Sequence, residues 1–443
     1  MGEVSIIFSY LIFFNVILSY GMETTFFRFY NNGANKKSVI STAMISLLSS
    51  TTLFLFITLF LKDNIATWTG FKVDYIVYAI LILALDAFVI IPFSKLRAEN
   101  RPMKYAFIKI MSVAINLLLN IFFLVVLPKL ESSSSLMSSI YIVDFQIGYI
   151  FISNLIASLF TLLVLLPIYF KLNWQFDVTL WKKMIRYGSP ILIAGIAFAI
   201  NEHFDKILLE WKGTSLSDIG AYSACYKIGM FMVLFRTAYT LGIEPFFFSH
   251  AKNENAPQTY AEITKYFVIF GSFISLGIIV FADILKLAIV PNPIYWDAMI
   301  IVPLIVIANF FLGIYTNLSV WYKLIDKTKI GAYISIVGAI VTLLLNFFLI
   351  PVLGYVGSAI ATIFAYGIMM LISYFLGQKK YPIPYDKKRI SLYLGLSIVL
   401  GGLSFYVPLF RSTYIFGILS LLIFSYFVYR NEKQLFLTII KRN

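Results

Sequence analysis

Apolar residues run along this chain in blocks of about twenty, separated by short polar breaks. A hydrocarbon layer about 30 Å thick needs roughly 20 apolar residues in helix to cross it. Runs of that kind begin near Val4, Val39, Tyr75, Tyr105, Ile147, Tyr187, Ala221, Tyr266, Ala298, Ala332, Gly354, Ser391 and Tyr414. Each predicts a membrane-spanning helix, because a backbone in lipid must satisfy its polar groups internally. The pattern therefore predicts an all-α integral membrane protein, a polytopic helical bundle of about 13 spans. The longest break, from Pro128 to Gln146, is a serine-rich stretch that is too short to hold a catalytic domain.

Charge fixes an orientation. Only 13% of residues are charged, about half the fraction of a soluble domain. The net charge of +14 would suit nucleic acid if the cations shared one folded face, but they sit in short loops, so no nucleic-acid partner is expected. Alternate breaks, from the one holding Arg28, Lys36 and Lys37 to the tail with Lys441 and Arg442, carry 25 of the Lys and Arg residues. The opposite side carries six: Lys62, Lys72, Lys129, Lys212, Lys286 and Arg411. Cytoplasmic loops hold the excess of Lys and Arg, which predicts a cytoplasmic C-terminus and Met1 outside. One cysteine, Cys225, and two histidines, His203 and His250, leave no disulfide framework and no zinc-type cluster. No metal or other cofactor is expected. Glu3 stands where a signal peptide would be basic, so no cleavable signal is evident.

The chain also repeats itself. "YGMETTFF", ending at Phe27, matches "LGIEPFFF", ending at Phe248, and "AINLLLNIFF" around Asn120 matches "AIVTLLLNFF" around Asn346. The two offsets nearly agree and each crosses six runs, so the halves share an orientation and a site is expected where they meet. The second copy has a run, Tyr187 to Glu210, with no counterpart in the first. The expectation is a chain whose first helix is absent, with lobes at 1–170 and 180–377 and a further helix pair at 390–430.

The best-preserved stretch is "NFFLIPVLGYVGSAIAT", from Asn346 to Thr362. It resembles the signature of polysaccharide (O-antigen type) flippases, members of the multidrug/oligosaccharidyl-lipid/polysaccharide exporter superfamily. "YGMETTFFRFY", "KLRAENRP", "YGSP" and "FDK" at Asp205 resemble other family motifs. Thr342 stands where the family often has Asn, and Ser358 replaces an Ala. The resemblance covers essentially the whole chain. It implies 14 spans in the family, as two parallel six-helix lobes around a central cavity plus two C-terminal helices. It further implies a bacterial inner-membrane transporter that works by alternating access. Its cargo would be a lipid-linked oligosaccharide on a polyprenyl pyrophosphate, moved to the outer leaflet. Membrane lipids, H⁺ or Na⁺, a polysaccharide polymerase and assembly proteins would be partners. A cation-coupled multidrug exporter and a lipid II flippase share the superfamily. A membrane glycosyltransferase or polymerase, the enzyme reading, usually needs a large extracytoplasmic loop or a nucleotide-sugar domain, and neither is evident.

Charges inside the runs are the candidate site, since a charged residue at bilayer depth faces a bundle interior or water. "NEHFDK" places Asn201, Glu202, His203, Asp205 and Lys206 in one span. Glu202 and Lys206, four apart in the favourable order, either neutralise each other or line the cavity. Asp205 then has no in-register cation and is the better functional candidate, for substrate or for ion coupling. Arg236 is about ten residues from the inner end of its span, and its repeat counterpart is Asn15. It is either a pyrophosphate anchor, for which a guanidinium supplies a planar fork, or half of a structural ion pair. Lys227 either joins it or snorkels, and Lys109 reaches the interface. Asp86, alone at mid-span, is either a proton or sodium site or the counter-ion of a buried base. Glu23 and Glu244, at equivalent ends of repeated spans, either gate the cytoplasmic entrance over Arg28 or form interfacial ion pairs. Asn120 and Asn346 either bond between helices or bind sugar.

Overall fold

A computed structural model of the chain describes residues 1–31, 35–130, 135–250, 253–325 and 327–440. The side chains at 135, 136, 244, 245, 248, 249 and 434–440 lie outside that description. All its regular elements are helical. They are α1 Gly2–Asn31, α2 Lys36–Phe60, α3 Val73–Ala98, α4 Pro102–Leu130, α5 Gln146–Phe170 and α6 Val178–His203. Then come α7 Asp205–Trp211, α8 Leu216–His250, α9 Ala256–Val280, α10 Ala282–Ile289, α11 Pro293–Leu324 and α12 Lys329–Lys380. α13 Lys387–Tyr406, α14 Pro408–Thr413 and α15 Ile415–Ile440 follow, and two short helices, Lys62–Thr69 and Ser135–Ile140, lie in the connections after α2 and α4.

Among the described residues, ten of these (α1 to α6, α9, α11, α12 and α13) are long and apolar enough to cross a membrane. The count reconciles with the apolar runs. The 52-residue α12 covers two of them and breaks at Gly354, where φ is 56° and ψ is −139°. That conformation is costly for any residue with a Cβ, so glycine marks the hinge between two spans. The remaining two runs fall on α8 and α15, of 35 and 26 residues. Helix starts follow local chemistry. Asn35 Oδ1 accepts from the Lys37 amide at 3.1 Å at the head of α2, and Asp386 Oδ1 accepts from the Arg389 amide at 3.1 Å at the head of α13; such caps satisfy amides that have no helical partner.

The chain divides into two compact units, Ile7–Ala199, and Ile200–Asn443 together with Met1–Ile6. In the first, α5 packs on α3 and α4, and α2 on α3. Its core gathers Met22, Phe26, Val39, Met44, Leu47 and Met184. α1 bends at Tyr20 and Gly21, both with positive φ. A Cβ on Gly21 would sit 2.7 Å from the Gly188 carbonyl oxygen, so the "YG" of α1 and the "YG" of α6 meet backbone to backbone.

In the second unit, α11 packs on α12 and on α8, and α9 on α13. The C-terminal helices are fastened to α9 and its extension by two ion clusters. Glu432 receives Lys265 Nζ at 3.0 Å, Arg389 Nη1 at 2.9 Å and Tyr393 OH at 3.0 Å. Asp283, just past the end of α9, receives Arg411 Nε at 2.6 Å and Lys286 Nζ at 2.6 Å. Lys265 and Asp283 lie about 27 Å apart along a helix axis, close to one hydrocarbon thickness. Both clusters therefore sit near the ends of the spans, where water reaches them.

Candidate functional site

The charged stretch that interrupts the apolar pattern falls where α6 gives way to α7. The helix is broken at Phe204, although Phe204 still donates to the Ile200 carbonyl at 3.3 Å and accepts from Leu208 at 3.0 Å. Asn201, Glu202, Asp205 and Lys206 thus stay on nearly helical backbone, and all are buried or half-buried.

Their pairings differ from the sequence expectation. Glu202 does not pair with Lys206. Its Oε1 lies 3.8 Å from Arg236 Nη1 on α8 and accepts from Tyr366 OH at 3.0 Å. Lys206 turns instead to its neighbour, with Nζ 3.3 Å from Asp205 Oδ1. Asp205 is therefore not without a cation. Its other oxygen accepts from Tyr222 OH at 2.6 Å, and Lys206 Nζ also lies 4.8 Å from the centre of the Tyr226 ring. The helix break and the short reach to Asp205 take Lys206 away from its in-register partner. Asn201 is fixed on both sides. Its amide donates to the Ser335 carbonyl at 3.0 Å, and its Oδ1 accepts from Thr342 at 2.9 Å.

Two acids, two bases, an amide and three tyrosines are thus assembled from α6, α7, α8 and α12. Arg236 and Glu202 keep 15% and 12% of their side-chain surface, and 3.8 Å is too long for a tight bidentate clamp. Asp205, by contrast, has both oxygens engaged at hydrogen-bonding distance. Lys227 is exposed, with no ion-pair partner among the described residues. The tyrosines were not singled out by sequence, being hidden among 29; the spacing of Tyr222 and Tyr226 one helical turn apart, facing "FDK", was the available signal.

The Ile7–Ala199 unit holds a second polar site. A cavity of about 390 Å³ is lined by Asn15, Ser19, Glu23, Asp86, Arg97 and Lys109, among others. Asp86 accepts from Ser158 at 2.8 Å, and Lys109 Nζ lies 4.6 Å from the Phe93 ring centre. Asp86 and the nearest basic candidate therefore share one cavity. Glu23 pairs with Arg97, not with Arg28, whose guanidinium stacks 4.1 Å from the Tyr187 ring centre. Glu23 and Arg97 both line that cavity. Glu244 lies outside the described side chains. Asn120 and Asn346 both donate to carbonyls one turn earlier in their own helices, at 2.8 and 2.7 Å, so neither bond is interhelical.

Known proteins share this architecture. The lipid II flippase MurJ in an inward closed conformation superposes with a TM-score of 0.70, over 97% of this chain and 92% of that one, at 17% identity. An inward-facing multidrug resistance MATE family transporter of the MOP superfamily gives 0.65 over 88% and 90%, at 14% identity. The fold is that of MATE and MurJ transporters. Residues 190–348 match the MatE family model, a stretch that contains Asn201, Glu202, Asp205, Lys206, Arg236 and Thr342. A Vibrio cholerae MATE transporter in its bent form is also similar, with a TM-score of 0.55 over 86% and 87% at 17% identity. Among curated proteins, an uncharacterized membrane protein of Methanocaldococcus jannaschii is 25% identical over 206 residues, 46% of each chain. The match thus spans under half the length of that relative. The solved proteins reported are transporters and a flippase, not enzymes.

Proposed function

We propose that this chain flips a polyprenyl-pyrophosphate-linked oligosaccharide from the inner to the outer leaflet of a bacterial cytoplasmic membrane, by alternating access, for surface polysaccharide synthesis. The observation that supports this most is the loosely held Arg236–Glu202 pair. A guanidinium within a span, 3.8 Å from its carboxylate and still accessible, is poised to leave for a better acceptor. A pyrophosphate offers one, since Arg binds phosphate oxygens in a planar fork. Glu202 would not be stranded by the exchange, because Tyr366 continues to donate to it at 3.0 Å. Exposed Lys227 would add a second positive charge.

Asp205 then serves as the coupling group. Its oxygens are filled by Lys206 and Tyr222, so a proton arriving there releases Lys206, while Na⁺ would have to displace it. Asp86, in the separate cavity with Lys109, is the other coupling candidate. The Glu23–Arg97 pair in that cavity takes the gating role. On this reading the C-terminus is cytoplasmic, and the partners are a polysaccharide polymerase and assembly proteins. The likeness to MurJ over nearly the whole chain favours lipid II as a second cargo. The three acids Asp86, Glu202 and Asp205 are what would suit a cation-coupled drug exporter.

Proteoliposomes carrying a fluorescent polyprenyl-pyrophosphate saccharide test the proposal, with an impermeant quencher reading movement between leaflets. Loss of a charge-assisted contact of about 1.5–3 kcal/mol predicts a rate lower by roughly 10- to 100-fold for Arg236→Ala. Arg236→Lys should fall between. Wild-type movement indistinguishable from empty liposomes would sink the flippase. Full activity of Arg236→Ala would sink the role of Arg236 alone.

A further inference from the structure

Two more cavities in the Ile7–Ala199 unit share one face of α2. The first, about 370 Å³, is lined by Tyr30, Lys36, Lys37, Lys95, Glu99 and Lys171, among others. The second, about 630 Å³, is lined by Ile45, Ser46, Phe176, Val178, Trp181 and Ile185, among others. Lys37 and Ser41 line the first, and Ile45 and Ser49 line the second. These four are spaced four apart and form a single row on the helix surface. The segment after α5 runs the same way, with Lys171 on the first cavity and Phe176 and Val178 on the second. Between them the Asp177 amide donates to Thr42 Oγ1 at 3.2 Å and ties the segment to α2.

The two cavities have opposite chemistry. The first holds four lysines against one carboxylate. Glu99 is already shared between Lys95 at 3.7 Å and Arg101 at 3.8 Å. Lys36, Lys37 and Lys171 have no carboxylate partner among the described residues, and Lys36 Nζ merely overlies the Tyr30 ring at 4.8 Å. The first turn of α2 adds its own positive end. The second cavity presents hydrocarbon, because its polar groups satisfy one another: Ser46 Oγ accepts from Trp181 Nε1 at 2.8 Å and pairs with Tyr20 OH at 2.8 Å.

The geometry points to a binding site for an anionic phospholipid of the surrounding bilayer, with its phosphate among Lys36, Lys37 and Lys171 and an acyl chain along the groove beside Trp181. A basic recess beside an apolar groove on one face of a membrane helix is an arrangement suited to anionic head groups. The lining cations are all lysines, compact point charges suited to a phosphodiester, with no guanidinium fork to clamp a terminal phosphate. The site shares no residue with the Arg236 cluster, so its test is independent of the transport reading.

The full-length protein in nanodiscs gives that test through Trp181. Brominated phosphatidylglycerol is compared with brominated phosphatidylcholine, and the Trp181 signal is taken as the difference between wild type and Trp181→Phe. Phosphatidylglycerol should quench Trp181 at a much lower mole fraction. Lys36→Ala, Lys37→Ala and Lys171→Ala should each weaken that preference about fivefold, while the three Lys→Arg variants retain it. Equal quenching by the two lipids, or a preference untouched in the triple Ala variant, would overturn the site. Reversal of the quenching by millimolar inorganic phosphate would assign the recess to a soluble anion and overturn the lipid.

Discussion

Asn201 shows how much of the candidate site is scaffold. It is buried, donates to the Ser335 carbonyl and accepts from Thr342, so it holds α6 to α12 at the point where Glu202 must face Arg236. Its role is to aim its neighbours. Leaving a buried acceptor unpaired costs about 1–3 kcal/mol, and Thr342→Val does that to Asn201 Oδ1. The variant should unfold at a lower denaturant concentration by that amount, and Thr342→Ser should not; equal stability of Val and wild type would remove the scaffold role. Tyr222 acts on chemistry instead. Its hydroxyl donates to Asp205 at 2.6 Å, stabilising the carboxylate. On the proposed function, Tyr222→Phe removes a charge-assisted hydrogen bond to Asp205 worth about 1.5–3 kcal/mol and should lower the transport rate by roughly 10-fold or more; a wild-type rate would detach Asp205 from coupling. The charges of this cluster were legible in residues 202–206 and at Arg236, though its tyrosines were not. Its pairing was not, because Arg236 and Tyr366 arrive from helices 34 and 164 residues further along the chain, and helical spacing reports only on neighbours within one turn.

At the scale of elements, the apolar runs predict the spans because a hydrocarbon layer admits little else, and their count survives once the break at Gly354 and the two long helices α8 and α15 are included. Gly354→Ala forces a Cβ into φ 56°, ψ −139°, at a cost of about 1–3 kcal/mol, visible as a lower unfolding midpoint. What the runs do not reveal is how the last helices are fastened. The Asp283 cluster is built from cations that look like ordinary loop charges. The Arg411 guanidinium, bonded to Asp283 and assisted by Lys286, lowers that carboxyl from 3.8 to about 2. A lowered folded-state value means stabilisation that is complete above the unfolded value and lost as pH falls through the folded one. Docking of the α13–α15 segment should therefore weaken between about pH 4 and pH 2. Solvent screening leaves about 1 kcal/mol of the effect. In Asp283→Asn the stability should be flat across that window, as read by proteolysis of the C-terminal helices; a wild type equally flat there would contradict the clamp.

For the whole molecule, the sequence resemblance and the fold agree on a transporter architecture, while the cargo rests on the charges within the spans. In the proposed function, the loosely tethered Arg236 takes cargo binding and the tightly held Asp205 takes coupling. The most direct test is the leaflet distribution of lipid-linked oligosaccharide in cells lacking the protein, measured by the fraction accessible at each face of the inner membrane. The account predicts accumulation at the cytoplasmic face, reversed by wild type and not by Arg236→Ala. An unchanged distribution in the deletion strain would contradict it.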